Sequence, residues 1–344
     1  MVALNSPFLG GPFLGVEALS CGLVRKHQLR SEYSALFPGV YFPSGGQPTF
    51  AQRAEAAWLW SHRRGVIAGC TAARLHGALW LDDELPLEMF WRNARTPPGI
   101  ATSAVAFADG ETLTLGGLSV TSPVRTAFDL ARRRPLHTAV ARLDALANAV
   151  SFDSADVLDL AARHRGVRGV RHVATVLELS DRGAQSPRET WLRLVLLRGG
   201  FPPPRTQIPV AVGGRVKYYL DMGWEDTKVA AEYDGDQHRT DRAQFAKDVV
   251  RLEELADLGW IIVRVVAGTS RRRLSDGCGG RGRRVAHRLC GEIVRYRRSA
   301  ICAQSRSATT AAPPPSPYPG HRRRTWSRCR RSCHGWRGCS GASR

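Results

Sequence analysis

The chain has 344 residues and a formal net charge of +20, and it holds no apolar run near the roughly 18 residues that a membrane span needs. The charge is unevenly placed. From Gly268 onward there are 19 arginines and no lysine against Asp276 and Glu292, a net +17, which leaves +3 on the first 267 residues. A charge argument for nucleic-acid binding therefore rests on the C-terminal tail and not on the body. The length allows two domains, each with a sizeable core.

Cysteines follow the same split. Cys21 and Cys70 stand alone in the body, and six others lie in the tail. Two distant cysteines make no disulfide framework and fit a reducing compartment. No basic stretch precedes an apolar run at the N-terminus, so a signal peptide is not expected and the protein is expected in the cytoplasm. Cys329-x₃-Cys333-His334-x₄-Cys339 has metal-ligand residue types but fits no zinc-finger or zinc-knuckle spacing.

In chain order, Val16 to Ser20 reads as a helix, and "GLVRKHQLR" as a turn and a second short helix. "LFPGVYFP" reads as a strand marked by Pro38-Gly39. Residues 1–48 thus have a reduced winged-helix plan, with Arg25, Lys26 and Arg30 as its basic residues. Phe50 to Ser61 is an Ala-rich helix, and "VIAGCTAARLHGAL" a strand leading into another. His76 on that helix reads as a packed or capping histidine. Strands are expected at Leu87–Trp91, Ser103–Phe107 and Leu113–Val120. Ser122 and Pro123 then mark a helix start, on which Arg125 and Asp129 are spaced to pair in a structural role. Further helices follow at Leu136–Asn148, Ser154–Arg163 and within Gly166–Leu179, with "RHRGVRGVRH" as a solvated connection or a phosphate contact.

The second half opens on Ser186-Pro187-Arg188-Glu189, a capping box that starts a helix running through Arg198. A strand is expected from Gln207 to Val212. Next comes "YLDMGWEDTKVAAEYDGDQH", a strand, a polar turn and a second strand. A turn centred between Asp226 and Thr227 sets Asp221 opposite Glu232, and alternation brings Asp234 to the same face. Three carboxylates together need a positive guest, and a divalent cation with oxygen ligands is the natural one. His238 follows, where it could transfer protons to a reacting phosphate. A helix is expected from Asp241 to Leu258 with Phe245, Val249, Leu252 and Leu255 as its apolar face and Lys247, Arg251 and Glu254 on the other side. Gly259 stops it, and "WIIVRVV" is a buried strand.

The motifs "YLDMGW", "AAEYDGDQH" and "RLEELADLGWIIVRV" resemble the restriction-endonuclease-like PD-(D/E)xK superfamily, in particular its very-short-patch-repair-like domain. The resemblance spans about Ser186 to Val266. It implies that Asp221 and Glu232 bind Mg²⁺ or Mn²⁺ and that Glu189 assists. Where the superfamily pattern has lysine this chain has Asp234, which would orient the metal or water. Repair-type members use histidine, so His238 is the implied substitute, and Lys228 is a second source of positive charge. "GLVRKHQL…LFPGVY" and the segment after it resemble type IV abortive-infection antitoxins, which implies DNA and a cognate toxin as partners.

The chain is accordingly expected to be α+β. Its parts are a winged-helix-like unit at 1–48, an antitoxin-like mixed region at 49–135 and a helical connector at 136–185. An endonuclease-like core at 186–267 and a basic low-complexity tail at 268–344 complete it. Loss of periodicity near 267–270 fits a shifted reading frame, a disordered nucleic-acid-binding tail, or a solvated arm. The functional readings are a metal-dependent DNA endonuclease of repair or defence type, an antitoxin-like regulator with an inactive nuclease-like domain, or a scaffold.

Overall fold

A computed structural model describes residues 10–92, 95–234 and 242–266, with the side chains of 242–246 and 266 excepted. The tail at 268–344 and His238 lie outside these residues. The architecture is α+β, with helices and, among the described residues, three sheets; the chain divides into two compact units, Met1–Pro187 and Arg188–Arg344. Among the described residues no helix is long and apolar enough to cross a membrane.

The first unit begins with β1 (Phe13–Leu14), α1 (Gly15–Ser20), α2 (Lys26–Ser31), β2 (Tyr33–Phe37) and β3 (Val40–Pro43), and its strands form a sheet in the order β1-β3-β2. Next is α3 (Phe50–Trp60), whose first turn is held by a capping box. The Thr49 hydroxyl accepts the Gln52 N–H at 3.2 Å, and the Gln52 side chain accepts the Thr49 N–H at 2.9 Å. Ala54, Ala56 and Ala57 are fully buried, so this helix approaches its neighbours closely. It packs against the first sheet and against strands of a second, and one core joins Leu14 and Val40 with Ile67, Leu87 and Val120.

The second sheet comprises β4 (Val66–Ile67), β5 (Leu87–Phe90), β6 (Ile100–Ser103), β7 (Thr112–Leu115) and β8 (Leu118–Thr121), in the order β6-β5-β4-β8-β7. After β4 comes α4 (Gly69–Leu75), capped by His76, whose Nε2 lies 2.8 Å from the Thr121 carbonyl. Two expectations fail here. The strand placed at Ser103–Phe107 lies at Ile100–Ser103, because its partner strand ends at Phe90, opposite Ser103. The strand read as Leu113–Val120 is a hairpin. Gly116 and Gly117 both have positive φ, 57° and 84°, and make the two-residue turn.

Helices α5 (Pro123–Ala131), α6 (Leu136–Ala149), α7 (Ser154–Arg163) and α8 (Val173–Leu179) complete the unit. Ser122 caps α5, with Pro123 in the first turn. Arg125 is 2% exposed and pairs with Asp129 at 2.9 Å and with Glu111, while Arg132 meets Asp129 at 3.0 Å. His164 reaches Glu111 at 3.1 Å. These buried charges satisfy one another, which suits the structural role expected of Arg125 and Asp129.

The second unit is α9 (Pro187–Arg198), β9 (Arg205–Val212), β10 (Arg215–Trp224), β11 (Val229–Asp234), α10 (Arg242–Asp257) and β12 (Ile261–Val266). Its sheet has the order β12-β11-β10-β9; β11 and β12 run parallel and the other pairs antiparallel. One apolar layer sets Leu192 and Leu196 of α9 against Met222, Trp224, Ala231 and Val263. A second sets Leu255 of α10 against Ile208, Val210, Leu220 and Ala230. Each fully buried Leu contributes about 1.5–3 kcal/mol to holding these layers. Gly259, at φ 83°, closes α10. The apolar face of that helix is narrower than expected. Leu255 is buried but Val249 is 37% exposed, and the Phe245 side chain lies outside the described residues.

Candidate functional site

The site forms where β10 and β11 part. Their ladder joins Trp224↔Val229, Gly223↔Ala230 and Met222↔Ala231, and the same register carries Asp221 opposite Glu232. Gly223 permits this approach, because a Cβ there would overlap the Val229 carbonyl and lie 2.9 Å from the Ala230 Cα. Beyond Met222 the Asp221 side chain takes over: its Oδ2 accepts the Tyr233 backbone N–H at 3.0 Å.

Strand β10 is irregular at this point. Residues 220 and 222 of a regular strand share a face. Here Leu220 joins the α10-side core and Met222 the α9-side core, so the alternation slips at Asp221. Across from it on β9 stands Gln207, with φ 48°, between the regular pairs Leu220↔Ile208 and Met222↔Thr206. The Gln207 amide donates to Glu189 Oε2 at 3.3 Å. Glu189, in the first turn of α9, is 9% exposed and lies within electrostatic range of Asp221. Glu189 therefore faces this site as well as standing at the helix start.

Asp221 is mostly buried, and its pKa is pushed up to about 6. Burial is the main cause, and the negative charges of Glu189 and Glu232 add to it. The Tyr233 N–H and the Arg251 guanidinium act in the opposite direction. Glu232 is 7% exposed and is held by Arg251, which donates from Nη1 to Oε2 at 3.0 Å and from Nη2 to Oε1. Arg251 Nη2 also lies 3.3 Å from the Tyr219 carbonyl. The Glu232 carboxylate holds the Arg251 pKa above its usual range, against the effect of burial.

Three sequence expectations are corrected. Asp234 does not complete a three-carboxylate cluster: Arg264, which stands beside Glu232 in the parallel ladder, pairs with Asp234 at 3.3 Å and with Asp248 at 3.2 Å. Lys228 turns away from the carboxylates, and its Nζ donates to the Leu258 carbonyl at the end of α10, at 2.8 Å. Arg251, assigned to the outer side of its helix, faces the sheet instead. The signal was its position four residues before Leu255, one turn up the same stripe.

Among the described residues no group of three or more His, Cys, Asp or Glu side chains is gathered to hold a metal ion. The residues nonetheless suit Mg²⁺ in kind. That ion keeps several waters and is commonly bound by one or two carboxylates plus substrate phosphate oxygens. Asp221 and Glu232 bring two buried carboxyl groups together beside the single guanidinium of Arg251, a charge that a divalent cation would offset. Asp221 and Glu232 are the residues that would hold it.

No protein-family model matches the chain. It is 27% identical over 259 residues to uncharacterized proteins from two strains of Mycobacterium tuberculosis, CDC 1551 / Oshkosh and ATCC 25618 / H37Rv. The match covers 75% of this chain and 91% of each relative. Among solved structures, the RV2827C protein of Mycobacterium tuberculosis matches 49% of this chain and 71% of its own, at 16% identity and a TM-score of 0.35.

Proposed function

We propose that residues 186–267 are the core of a metal-dependent, PD-(D/E)xK-type endonuclease that hydrolyses DNA phosphodiester bonds. The observation that carries the reading is the buried Asp221 at the parting of β10 and β11, in the field of Glu189 and Glu232. Such an arrangement is costly to a fold that makes no use of it, since it holds a carboxyl far from its ordinary pKa. Asp221 and Glu232 bind the cation. Glu189 adds negative charge beside Asp221, and Gln207 orients it. Mg²⁺ or Mn²⁺, when bound, would polarise the scissile phosphate and make hydroxide accessible near neutral pH. Arg264 holds Asp234 at the end of β11, so Asp234 acts by fixing the exit of that strand, and His238 is the proton-transfer group. The test is nicking of supercoiled plasmid with Mg²⁺ or Mn²⁺ by wild type, Glu232→Ala and His238→Ala. Cleavage by wild type that both substitutions abolish supports the reading. Equal cleavage by wild type and Glu232→Ala would mark a contaminating nuclease.

A second reading has its own observation. Arg25, Lys26, His27 and Arg30 are all exposed at α2, next to the β2–β3 hairpin. This basic surface suits a winged-helix-like DNA-binding unit of antitoxin type with a cognate toxin as partner. Specific binding to its own promoter DNA, without cleavage by wild type, would favour that regulator.

A further inference from the structure

We infer that Arg251 is a substrate-phosphate ligand held in reserve on Glu232, so that DNA and the divalent cation bind cooperatively at this site. The inference rests on the metal-site reading above and adds an order to it.

Glu232 is buried, and a buried carboxylate must have a counter-charge. Arg251 supplies it through both carboxylate oxygens. A planar guanidinium set against both oxygens occupies the face on which a cation would chelate them. The guanidinium also places a positive charge where the second one must enter. Arg251 and the cation therefore compete for Glu232, and one must leave before the other can settle.

Arg251 is the more exposed partner, with its guanidinium also over the Tyr218 ring at 5.7 Å. Its side chain is 23% exposed, against 9% for Glu232, and its further hydrogen bond, to the Tyr219 carbonyl, is long at 3.3 Å. Tyr219 itself is 59% exposed, so the guanidinium sits at the mouth of the site. Arginine recognises phosphate with the same two-pronged geometry it uses on carboxylate. A DNA phosphate arriving at this mouth offers Arg251 a replacement anion, and the cation then takes the Glu232 oxygens that Arg251 gives up. The exchange leaves both Glu232 and Arg251 partnered before and after it. It also gives the site a phosphate-directed positive charge where Asp234 replaces the superfamily's lysine.

The experiment is Mn²⁺ binding by the full chain, read by electron paramagnetic resonance, with and without a short DNA duplex verified intact on a gel. The proteins are wild type, Arg251→Met, Arg251→Lys and Asp221→Asn, each checked for folding by circular dichroism. In wild type the duplex should tighten Mn²⁺ binding by roughly 5- to 150-fold, the ordinary range of coupling between two sites, and Mn²⁺ should tighten duplex binding by the same factor. Arg251→Met should bind Mn²⁺ without DNA at least as tightly as wild type, and the duplex should add little. Arg251→Lys keeps the charge but cannot cover both oxygens, so it should fall between the two. Asp221→Asn should lose Mn²⁺ binding in both conditions. The inference is overturned if the duplex tightens Mn²⁺ equally in wild type and Arg251→Met. Weaker binding by both Arg251 variants without DNA would overturn it too, since Arg251 would then only support Glu232. Folded wild type that binds no Mn²⁺ in either condition would instead remove the metal-site reading, and this inference with it.

Discussion

Replacing Asp221 by Asn should stabilise the protein at high pH while removing its proposed function. The folded carboxyl has a pKa of about 6, against an ordinary value of 3.8. A raised acid pKa means that the native state binds the proton more tightly than the unfolded state does. Stability from this group is therefore fully present below pH 3.8 and is lost as pH rises through about 6. Above that the penalty is constant, at about 3 kcal/mol for roughly two units. Asparagine does not ionise, and its side-chain oxygen can still accept the Tyr233 N–H. The variant should then exceed wild type by about 1–3 kcal/mol at pH 8, a shift of several degrees in Tm, and match it near pH 4. Calorimetry of both proteins at the two pH values is the assay, with the difference between them cancelling other titrations. Excess Mn²⁺ with duplex should raise the Tm of wild type and leave that of the variant in place. An Asp221→Asn protein less stable than wild type at pH 8 would refute the reasoning, as would a difference that does not change with pH.

Other expectations follow from the same geometry. Mn²⁺ affinity should rise with pH through about 6 and level off above, because Asp221 must be ionised to bind; titrations between pH 5 and 8 check this. Arg125→Met should cost about 3–5 kcal/mol, since it removes the guanidinium that the buried Glu111 and Asp129 share and leaves them only His164 and Arg132, and urea unfolding reads the loss. Gly223→Ala should cost at least about 1–3 kcal/mol by forcing β10 from β11, and urea unfolding followed by intrinsic fluorescence, to which Trp224 of the same core contributes, should show an earlier midpoint.

Much of the site's register was legible in the residues themselves. The polar turn at Glu225 to Lys228 sets the pairing of β10 with β11, and Gly259 marks the end of α10. Other features had a signal that alternation concealed. "LTLGGLSV" alternates through its two glycines as a single strand would, although Gly-Gly also suits a tight hairpin. Arg251 lies on the Leu255 stripe of α10, but a charged residue on an exposed-looking helix reads as solvated unless a buried carboxylate is known to face it. The positive φ of Gln207 and of Lys228 had no signal, since neither residue type favours that conformation and only the tertiary packing imposes it. The ion partner of Asp234 had no local signal, because strand alternation gives a face but not a partner, and Arg264 comes from a strand thirty residues on.

On the proposed reading, Asp221 and Glu232 share one divalent cation. A crystal structure of the full chain with a DNA duplex and Mn²⁺ tests it most directly, through the anomalous signal of the metal. One peak should lie in contact with carboxylate oxygens of both Asp221 and Glu232, with the Arg251 guanidinium moved from Glu232 to a phosphate. Bound DNA with no anomalous peak at these two carboxylates, and Arg251 still on Glu232, would contradict it.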